Sequence, residues 1–215
     1  MKKYELTDDT RIVDGHILHR IKALRDFSNV KAGSLGGWIE SEENLSHEGE
    51  CWVYAEAMVY DHGKIRVNAE ICGSAIVLEN AKIIGDVVIS DNAVVGGYAK
   101  IGGSAKISGK ATIYGDCWVY GSARISDNAR ISDNAVVCGS AAIYGDATIT
   151  SNRDYIVFKN WWSSGRYFTW TRSNDMWRVG CFYGTGAELI AKAYQDSEES
   201  GREYERVVKY VESIR

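Results

Sequence analysis

The sequence of 215 residues contains no proline, although about ten would be expected at the usual share of ~5%. This absence excludes proline-rich linkers, collagen-like segments and PxxP ligands. Apolar runs are short as well, and none approaches the ~18 residues of a membrane-spanning helix. The opening MKKYELTDDT has two lysines but lacks the apolar stretch that a signal peptide needs. We therefore expect a cytoplasmic protein that does not enter a membrane.

Potential metal ligands are sparse. The five cysteines lie far apart without a CxxC pair, and there are only four histidines. A zinc site needs a closer grouping of such residues. The sequence therefore predicts free thiols, no metal site and no cofactor.

Charge and composition indicate an ordered globular chain. There are 25 Lys+Arg against 29 Asp+Glu, which gives a net charge of -4 and argues against a general basic footprint for nucleic acid. The share of hydrophobic residues is 45% and that of charged residues is 25%, unlike a disordered chain. The length suggests one or two domains.

A six-residue repeat organises the middle of the chain. From residue 53, an isoleucine or valine recurs at every sixth position, seventeen times in succession. Four residues after each aliphatic comes a small residue, which is alanine in thirteen of the sixteen slots up to residue 147. Two residues after it, glycine or aspartate dominates. The aliphatic positions are Val53, Val59, Ile65, Ile71, Val77, Ile83, Ile89, Val95, Ile101, Ile107, Ile113, Val119, Ile125, Ile131, Val137, Ile143 and Ile149.

The period selects extended chain. Six residues rotate an α-helix by about 600°, so successive aliphatics would form no stripe. On a strand, even spacing keeps both the aliphatic and the alanine on one side. The glycine or aspartate between them tolerates the backbone angles of a sharp corner. Short strands joined by corners predict a coil with flat faces whose turns stack, which is a β-helix.

The hexads resemble the repeats of left-handed parallel β-helix proteins. That resemblance implies three hexads, or 18 residues, per coil, and commonly a trimer. We expect a mainly β fold, with a left-handed parallel β-helix of hexapeptide repeats over 51–150, an N-terminal β cap over 1–50 and a small C-terminal α+β module over 151–215. The repeats would make between five and six coils.

Residues that flank each aliphatic point outward, and those 18 apart stack in columns. One apolar column and its neighbour comprise Met58, Ile76, Leu78 and Val94. An outward apolar stack is typically buried against something else. We expect it to be the homotrimer interface, and a terminal module folding over it is the alternative.

A second column is basic and comprises Lys64, Lys82 and Lys100, with Arg66 nearby. Stacked ammonium groups repel one another unless anions or carboxylates lie between them. A solvated charged face is one interpretation. The other is an anion-binding stripe for a nucleotide, a nucleic acid or an acidic protein.

The first fifty residues depart from the repeat. The segment YELTDDTRIVDGHILHRIKAL predicts a strand pair that turns near Asp14 and Gly15. RIKALRDF, VKAGSLGGWIESEENLS and GECWVY resemble the opening of YdcK-like hexapeptide-repeat proteins, which are common in phages and prophages. A β-helix must also cover its open end, so the physical prediction for this segment is a cap.

The last 65 residues are rich in aromatics and arginine. RYFTWTR and MWRVGCFYG predict two strands, and helices follow over about 186–196 and 201–213. Free N–H groups at the first helix would suit phosphate, while arginine and tryptophan would suit an anionic or nucleotide ligand. Simple core packing is the alternative. The candidate ligand-binding residues are Arg166, Arg172, Arg178, Trp161, Trp162, Gly184, Thr185 and Gly186.

Two functions are compatible with this pattern. Many left-handed β-helix proteins are acyltransferases that use acetyl-CoA and a histidine base, but only His62 lies within the hexads, at a corner where any polar residue serves. We favour a non-catalytic phage or prophage accessory protein in the cytoplasm of its bacterial host. It would bind a host protein complex or sequester a nucleotide signal, and so inhibit a defence system.

Overall fold

A computed structural model describes residues 2–214. Three N-terminal strands open it: β1 (Tyr4–Val13), β2 (His16–Ala23) and β3 (Leu35–Ile39). β1 and β2 form an antiparallel hairpin that turns at Asp14 and Gly15, whose φ angles are 51° and 87°. β3 pairs antiparallel with β2 on one side and parallel with the repeats on the other.

The hexads form a parallel β-solenoid, as the period predicts. Each hexad contributes one strand of two or four residues. Paired residues differ by 18 positions, as Ile76 and Val94 do. The strands are β4 (Trp52–Val53), β5 (Met58–Val59), β6 (Lys64–Val67), β7 (Glu70–Ile71), β8 (Ile76–Val77), β9 (Lys82–Gly85), β10 (Val88–Ile89), β11 (Val94–Val95), β12 (Lys100–Gly103), β13 (Lys106–Ile107), β14 (Thr112–Ile113), β15 (Trp118–Val119), β16 (Arg124–Ile125), β17 (Arg130–Ile131), β18 (Val136–Val137), β19 (Ala142–Ile143) and β20 (Thr148–Ile149).

Every third strand stacks on the same face, which gives three faces. We call the sheet that runs from β5 to β20 the first face, the sheet from β6 to β18 the second face, and the sheet from β4 to β19 the third face. The hairpin and β3 extend the first face at its N-terminal edge. The left-handed sense of the coil stays a prediction from the resemblance.

The core of the solenoid consists of the residues that the repeat predicts. All seventeen aliphatic positions are no more than 2% exposed, and so are the alanine slots between them. A large and a small side chain thus alternate around each coil and fill its narrow interior. The side chains one coil apart stack because the register never slips between residues 53 and 149.

The corners require left-handed backbone at every sixth residue. Glycine occupies most of these positions, and at Gly73 an added Cβ would lie 2.8 Å from the backbone nitrogen of Asp91. Where aspartate replaces glycine, its carboxylate can support the next coil. Asp127 Oδ2 accepts the N–H of Gly145 at 2.9 Å. Val67, with φ 65°, is a branched residue in the same strained conformation.

The chain ends in a separate α+β module. Its antiparallel strands are β21 (Tyr155–Lys159), β22 (Tyr167–Thr171), β23 (Met176–Val179) and β24 (Phe182–Gly184). The helices are α1 (Gly186–Asp196) and α2 (Glu198–Ser213). The sequence predicted both helices and the hairpin of β22 and β23, but not β21 or the early start of α2. The prediction of a single strand over MWRVGCFYG was wrong, because the segment turns at Gly180 and Cys181 and forms the antiparallel pair of β23 and β24. A second hydrophobic core, which includes Trp170, Trp177 and Val208, joins the sheet to the helices.

Side-chain oxygens from this module cover the last coil. Inside the solenoid, a backbone N–H donates to a carbonyl of the next coil, as Arg130 does to Ala147. The final coil has no next coil, so Thr169 Oγ1 accepts the N–H of Ala142 at 2.9 Å and Ser173 Oγ accepts that of Thr148 at 2.7 Å. The module is therefore a C-terminal cap, which meets the need to cover an open strand edge.

The N-terminal end is covered by buried polar side chains. Asn44 is fully buried, accepts the N–H groups of Glu40 and Ser41, and donates to the carbonyls of Asp61 and Gly63. Lys3 is also fully buried, and burial lowers the pKa of its ammonium group. Its Nζ donates to the Cys51 carbonyl at 2.8 Å. Across residues 2–214, no helix is long and apolar enough to cross a membrane.

Candidate functional site: an arginine groove between solenoid and cap

A groove of about 560 Å³ lies between the third face and the C-terminal module. Ser122, Arg124 and Tyr144 line it from the solenoid. The module contributes Arg166, Tyr167, Arg178 and Cys181. Three guanidinium groups from two parts of the chain therefore line the same groove, together with two tyrosine rings.

Local structure positions each arginine. Arg124 precedes the buried Ile125 of β16, so its side chain points outward from the third face. Arg178 lies on β23, opposite Thr169 of β22 and Tyr183 of β24. Arg166 directly precedes β22.

The groove is strongly basic. The Arg178 guanidinium lies over the Tyr144 ring, 4.3 Å from its centroid, and its Nη1 donates to the Cys181 carbonyl at 3.3 Å. Among the ion pairs of residues 2–214, none involves Arg124, Arg166 or Arg178. No aspartate, glutamate or histidine lines the groove within this part of the chain. Uncompensated guanidinium groups favour an anionic ligand, and phosphate matches their donor geometry.

The groove contains two of the three arginines singled out from the sequence. Arg166 and Arg178 come together, whereas Arg172 is exposed outside the groove and its backbone N–H donates to the Asp154 carbonyl. Sequence reasoning missed Arg124. The 18-residue period could have indicated it, since it stacks on Lys106 in an outward basic column.

The adjacent residues Trp161 and Trp162 lie in different environments. Trp162 packs edge-on against Tyr204 and Phe168 and belongs to the core of the module. Trp161 is 74% exposed. Both residues lie in the turn between β21 and β22 and not on a strand, so the turn, rather than the alternation of a strand, separates their side chains. Neither tryptophan lines the groove.

The start of α1 is already occupied by a carboxylate. Thr185 is the N-cap, and its Oγ1 accepts the N–H of Glu188. In return, Glu188 Oε2 accepts the Thr185 N–H at 2.8 Å, and this hydrogen bond holds the pKa of Glu188 below its usual value. Gly186 packs against Val208 of α2. Thr185 and Glu188 thus form a capping box, and the Glu188 carboxylate occupies the backbone N–H of Thr185.

A smaller cavity of about 250 Å³ lies inside the module, between the sheet and the two helices. Its polar lining includes Lys192 and Asp196. Arg166 and Cys181 line this cavity as well as the groove. The two spaces are therefore neighbours on either side of the segment before β22.

The two predicted outward columns form as the period requires. Met58, Ile76 and Val94 pair in register on the first face, and they are half-buried, as is Leu78. On the second face, Lys64, Lys82 and Lys100 pair in register, while Arg66 pairs with Ile84 in the adjacent column.

One histidine, His16, has both ring nitrogens facing carboxylates. His16 faces Glu40 through Nδ1 at 3.0 Å and Asp61 through Nε2 at 3.3 Å. The Glu40 hydrogen bond raises the pKa of His16, so a proton is held between two carboxylates. His16, Glu40 and Asp61 are also the one group among residues 2–214 whose ligand atoms lie close enough to hold a metal ion. Both ring nitrogens of His16 face carboxylates, so a protonated His16 that bridges the hairpin and the solenoid fits this geometry better than a metal ion does. We call this arrangement the His16 clasp.

The other histidines have local roles or are exposed. His19 Nδ1 lies 3.2 Å from the Thr7 carbonyl, and His47 stacks on Tyr4. His62 is exposed at a corner beside Lys64. A general base needs a nitrogen free to accept the proton of a bound substrate.

The fold and these caps define a parallel β-solenoid protein, and comparison with known proteins agrees. Residues 123–139 match the family model described as the YdcK β-solenoid repeat. A relative from Escherichia coli (strain K12), the uncharacterized acetyltransferase YdcK, is 36% identical over 86 residues. That alignment covers 36% of this chain and 26% of the relative. The chain is therefore YdcK-like in its solenoid.

Proposed function

We propose that this chain is a non-catalytic binding protein that holds a phosphate-bearing ligand, such as a nucleotide, in the arginine groove. The observation that supports it is the convergence of Arg124, Arg166 and Arg178 without an opposing carboxylate. Hydrogen bonds to charged groups contribute about 1.5–3 kcal/mol each. Two such contacts contribute about 3–6 kcal/mol, less than the about 8.2 kcal/mol of a micromolar complex, so the proposal requires all three arginines and base stacking to act together.

The groove chemistry suits binding better than turnover. Arginine does not deprotonate in proteins, so it cannot serve as a general base. Arg178 covers one face of the Tyr144 ring, and Lys159 Nζ lies 5.9 Å from the Tyr167 ring centroid, so a nucleobase would stack on the opposite face of either ring. We therefore place the phosphates at the arginines and the base against a tyrosine.

The biological role that we propose follows from the resemblance. YdcK-like hexapeptide proteins are common in phages and prophages, and an accessory protein of this size could inhibit a host defence system. Sequestering a nucleotide signal, or blocking a protein complex in the bacterial cytoplasm, would achieve this. We further propose a homotrimer that packs through Met58, Ile76, Leu78 and Val94, because their apolar column on the first face is only half-buried.

Acyl transfer with acetyl-CoA is the second candidate, favoured by the name of the Escherichia coli relative, an uncharacterized acetyltransferase. The His16 clasp is the observation against it, since both ring nitrogens face carboxylates. One assay distinguishes ligand binding from acyl transfer. Turnover of acetyl-CoA by the purified protein, lost in His62→Ala or His16→Ala, would establish the enzyme and refute the binding proposal.

Ligand-induced thermal stabilisation tests the site. We expect nucleoside di- and triphosphates to raise the melting temperature of the native protein, and Arg178→Ala to weaken the apparent affinity at least tenfold. Arg172→Ala is the matched control, because Arg172 is an exposed arginine of the same module outside the groove. Equal losses in the two variants would show nonspecific charge binding and contradict the proposal.

A further inference from the structure

The second face carries a hollow that the arginine groove does not involve. It has a volume of about 430 Å³ and is centred on Gly102. An added Cβ at Gly102 would meet only the Ile84 carbonyl oxygen, at 3.5 Å, so the floor of the hollow is open space. Ile84, Trp118 and Tyr120 wall it, and each is between 44% and 48% exposed.

Lysines surround this apolar hollow. Lys82 and Lys100 line it and also line a neighbouring polar groove of about 470 Å³ that reaches Lys64 and Tyr98. Lys100 lies 3.5 Å from Asp116, but neither Lys64 nor Lys82 forms an ion pair among residues 2–214. The face therefore combines an unfilled apolar socket with uncompensated positive charge, as a buried anchor and a charged rim do in protein interfaces.

We propose that this face, around Gly102, is the docking surface for an acidic amphipathic α-helix of another protein. The lysine column runs along the solenoid axis with a rise of about 4.8 Å per coil. A helix laid along that axis advances about 5.4 Å per turn. Carboxylates three or four residues apart would thus stay in step with Lys64, Lys82 and Lys100. An aromatic or leucine side chain on the same helix would fill the hollow.

Charge at the corners favours a short acidic helix over a long polyanion. Glu79, Asp116 and Asp133 lie at corners between the first and second faces. Asp86 lies at the opposite corner. A nucleic acid strand that continued past the lysines would meet these carboxylates. The Lys100 ammonium also lies over the Trp118 ring, 4.6 Å from its centroid, where a nucleobase would need to stack.

Selection from a yeast-displayed library of 18-residue helical peptides tests the proposal. We expect binders that combine one large apolar residue with acidic residues three or four positions apart. A synthesised binder should lose at least tenfold in affinity, by fluorescence anisotropy, against Gly102→Leu, which fills the hollow. The same loss is expected against Lys82→Glu with Lys100→Glu, and a lysine-substituted peptide should bind that variant better than it binds the native protein.

Lys110→Glu with Arg153→Glu is the matched control, because both side chains are exposed and line neither the second-face hollow nor the arginine groove, and it should retain binding. Circular dichroism checks that each variant folds. Should Gly102→Leu fail to fold, the binding of the lysine-substituted peptide to Lys82→Glu with Lys100→Glu still tests the proposal. The proposal is overturned if no acidic helix is enriched, if the second-face variants bind like the control, or if a 15-nucleotide oligothymidylate displaces the peptide and binds more tightly. None of these outcomes depends on the arginine groove.

Discussion

Thr169 provides a sharp test of how the C-terminal module covers the solenoid. It is 1% exposed, and its hydroxyl oxygen accepts the Ala142 N–H that has no carbonyl of a next coil to bind. Thr169→Val keeps the shape of the side chain and removes that acceptor. Leaving a buried N–H unsatisfied costs about 1–3 kcal/mol, and 1.4 kcal/mol corresponds to a factor of ten in an equilibrium. We therefore expect amide exchange at Ala142 to accelerate by about 5- to 150-fold.

Hydrogen exchange with residue resolution is the appropriate assay, because a repeat protein can open locally without unfolding globally. Thr112→Val is the control, since it makes the same substitution on the first face where the neighbouring coil already pairs the backbone. It should change stability by less than about 0.5 kcal/mol. Unchanged exchange at Ala142 in Thr169→Val would refute the capping argument.

Two further predictions concern backbone strain and pH. Val67→Gly should stabilise the protein by about 0.5–1 kcal/mol in denaturant unfolding, since left-handed backbone costs a branched residue about 1–2 kcal/mol and glycine returns part of this as unfolded-state entropy. Val136→Gly, on an ordinary strand, should destabilise it, and stabilisation by both would contradict the strain. The pKa of His16 is raised in the folded state, chiefly by the Glu40 hydrogen bond. The contribution of His16 to the free energy of unfolding is therefore complete below its unfolded pKa near 6.5 and is lost as the pH rises through the folded pKa. Thermal unfolding of His16→Gln should therefore converge on that of the native protein as the pH rises above about 6.5 and through the folded pKa. A difference that stays constant with pH would show that the clasp carries no charge.

The repeat made most of the solenoid predictable. Once Val77 and Val95 occupy equivalent positions 18 residues apart, the period fixes which side chains are buried and which stack. The same period places Lys82 beside Lys100. The contacts of such a fold can be predicted from sequence because each coil contacts only the adjacent coils.

The sites between modules were less predictable, because they depend on tertiary docking. Arg124 stands in a regular repeat position, and only the docked module places it beside Arg166 and Arg178. Thr185 and Glu188 have the spacing of a capping box, yet only the side-chain geometry shows that Glu188 takes the place that an anion would occupy. Likewise His16 meets Asp61 only through the way in which the hairpin folds onto the first coil.

Isothermal titration calorimetry with a nucleoside triphosphate tests the central claim most directly. The native protein should bind one equivalent per chain, with an affinity that falls as salt rises because guanidinium–phosphate contacts are screened. Arg124→Ala with Arg178→Ala should abolish the heat of binding, although the two arginines come from different modules. Binding that persists unchanged in this double variant, or no binding by the native protein to any nucleotide, would contradict the account.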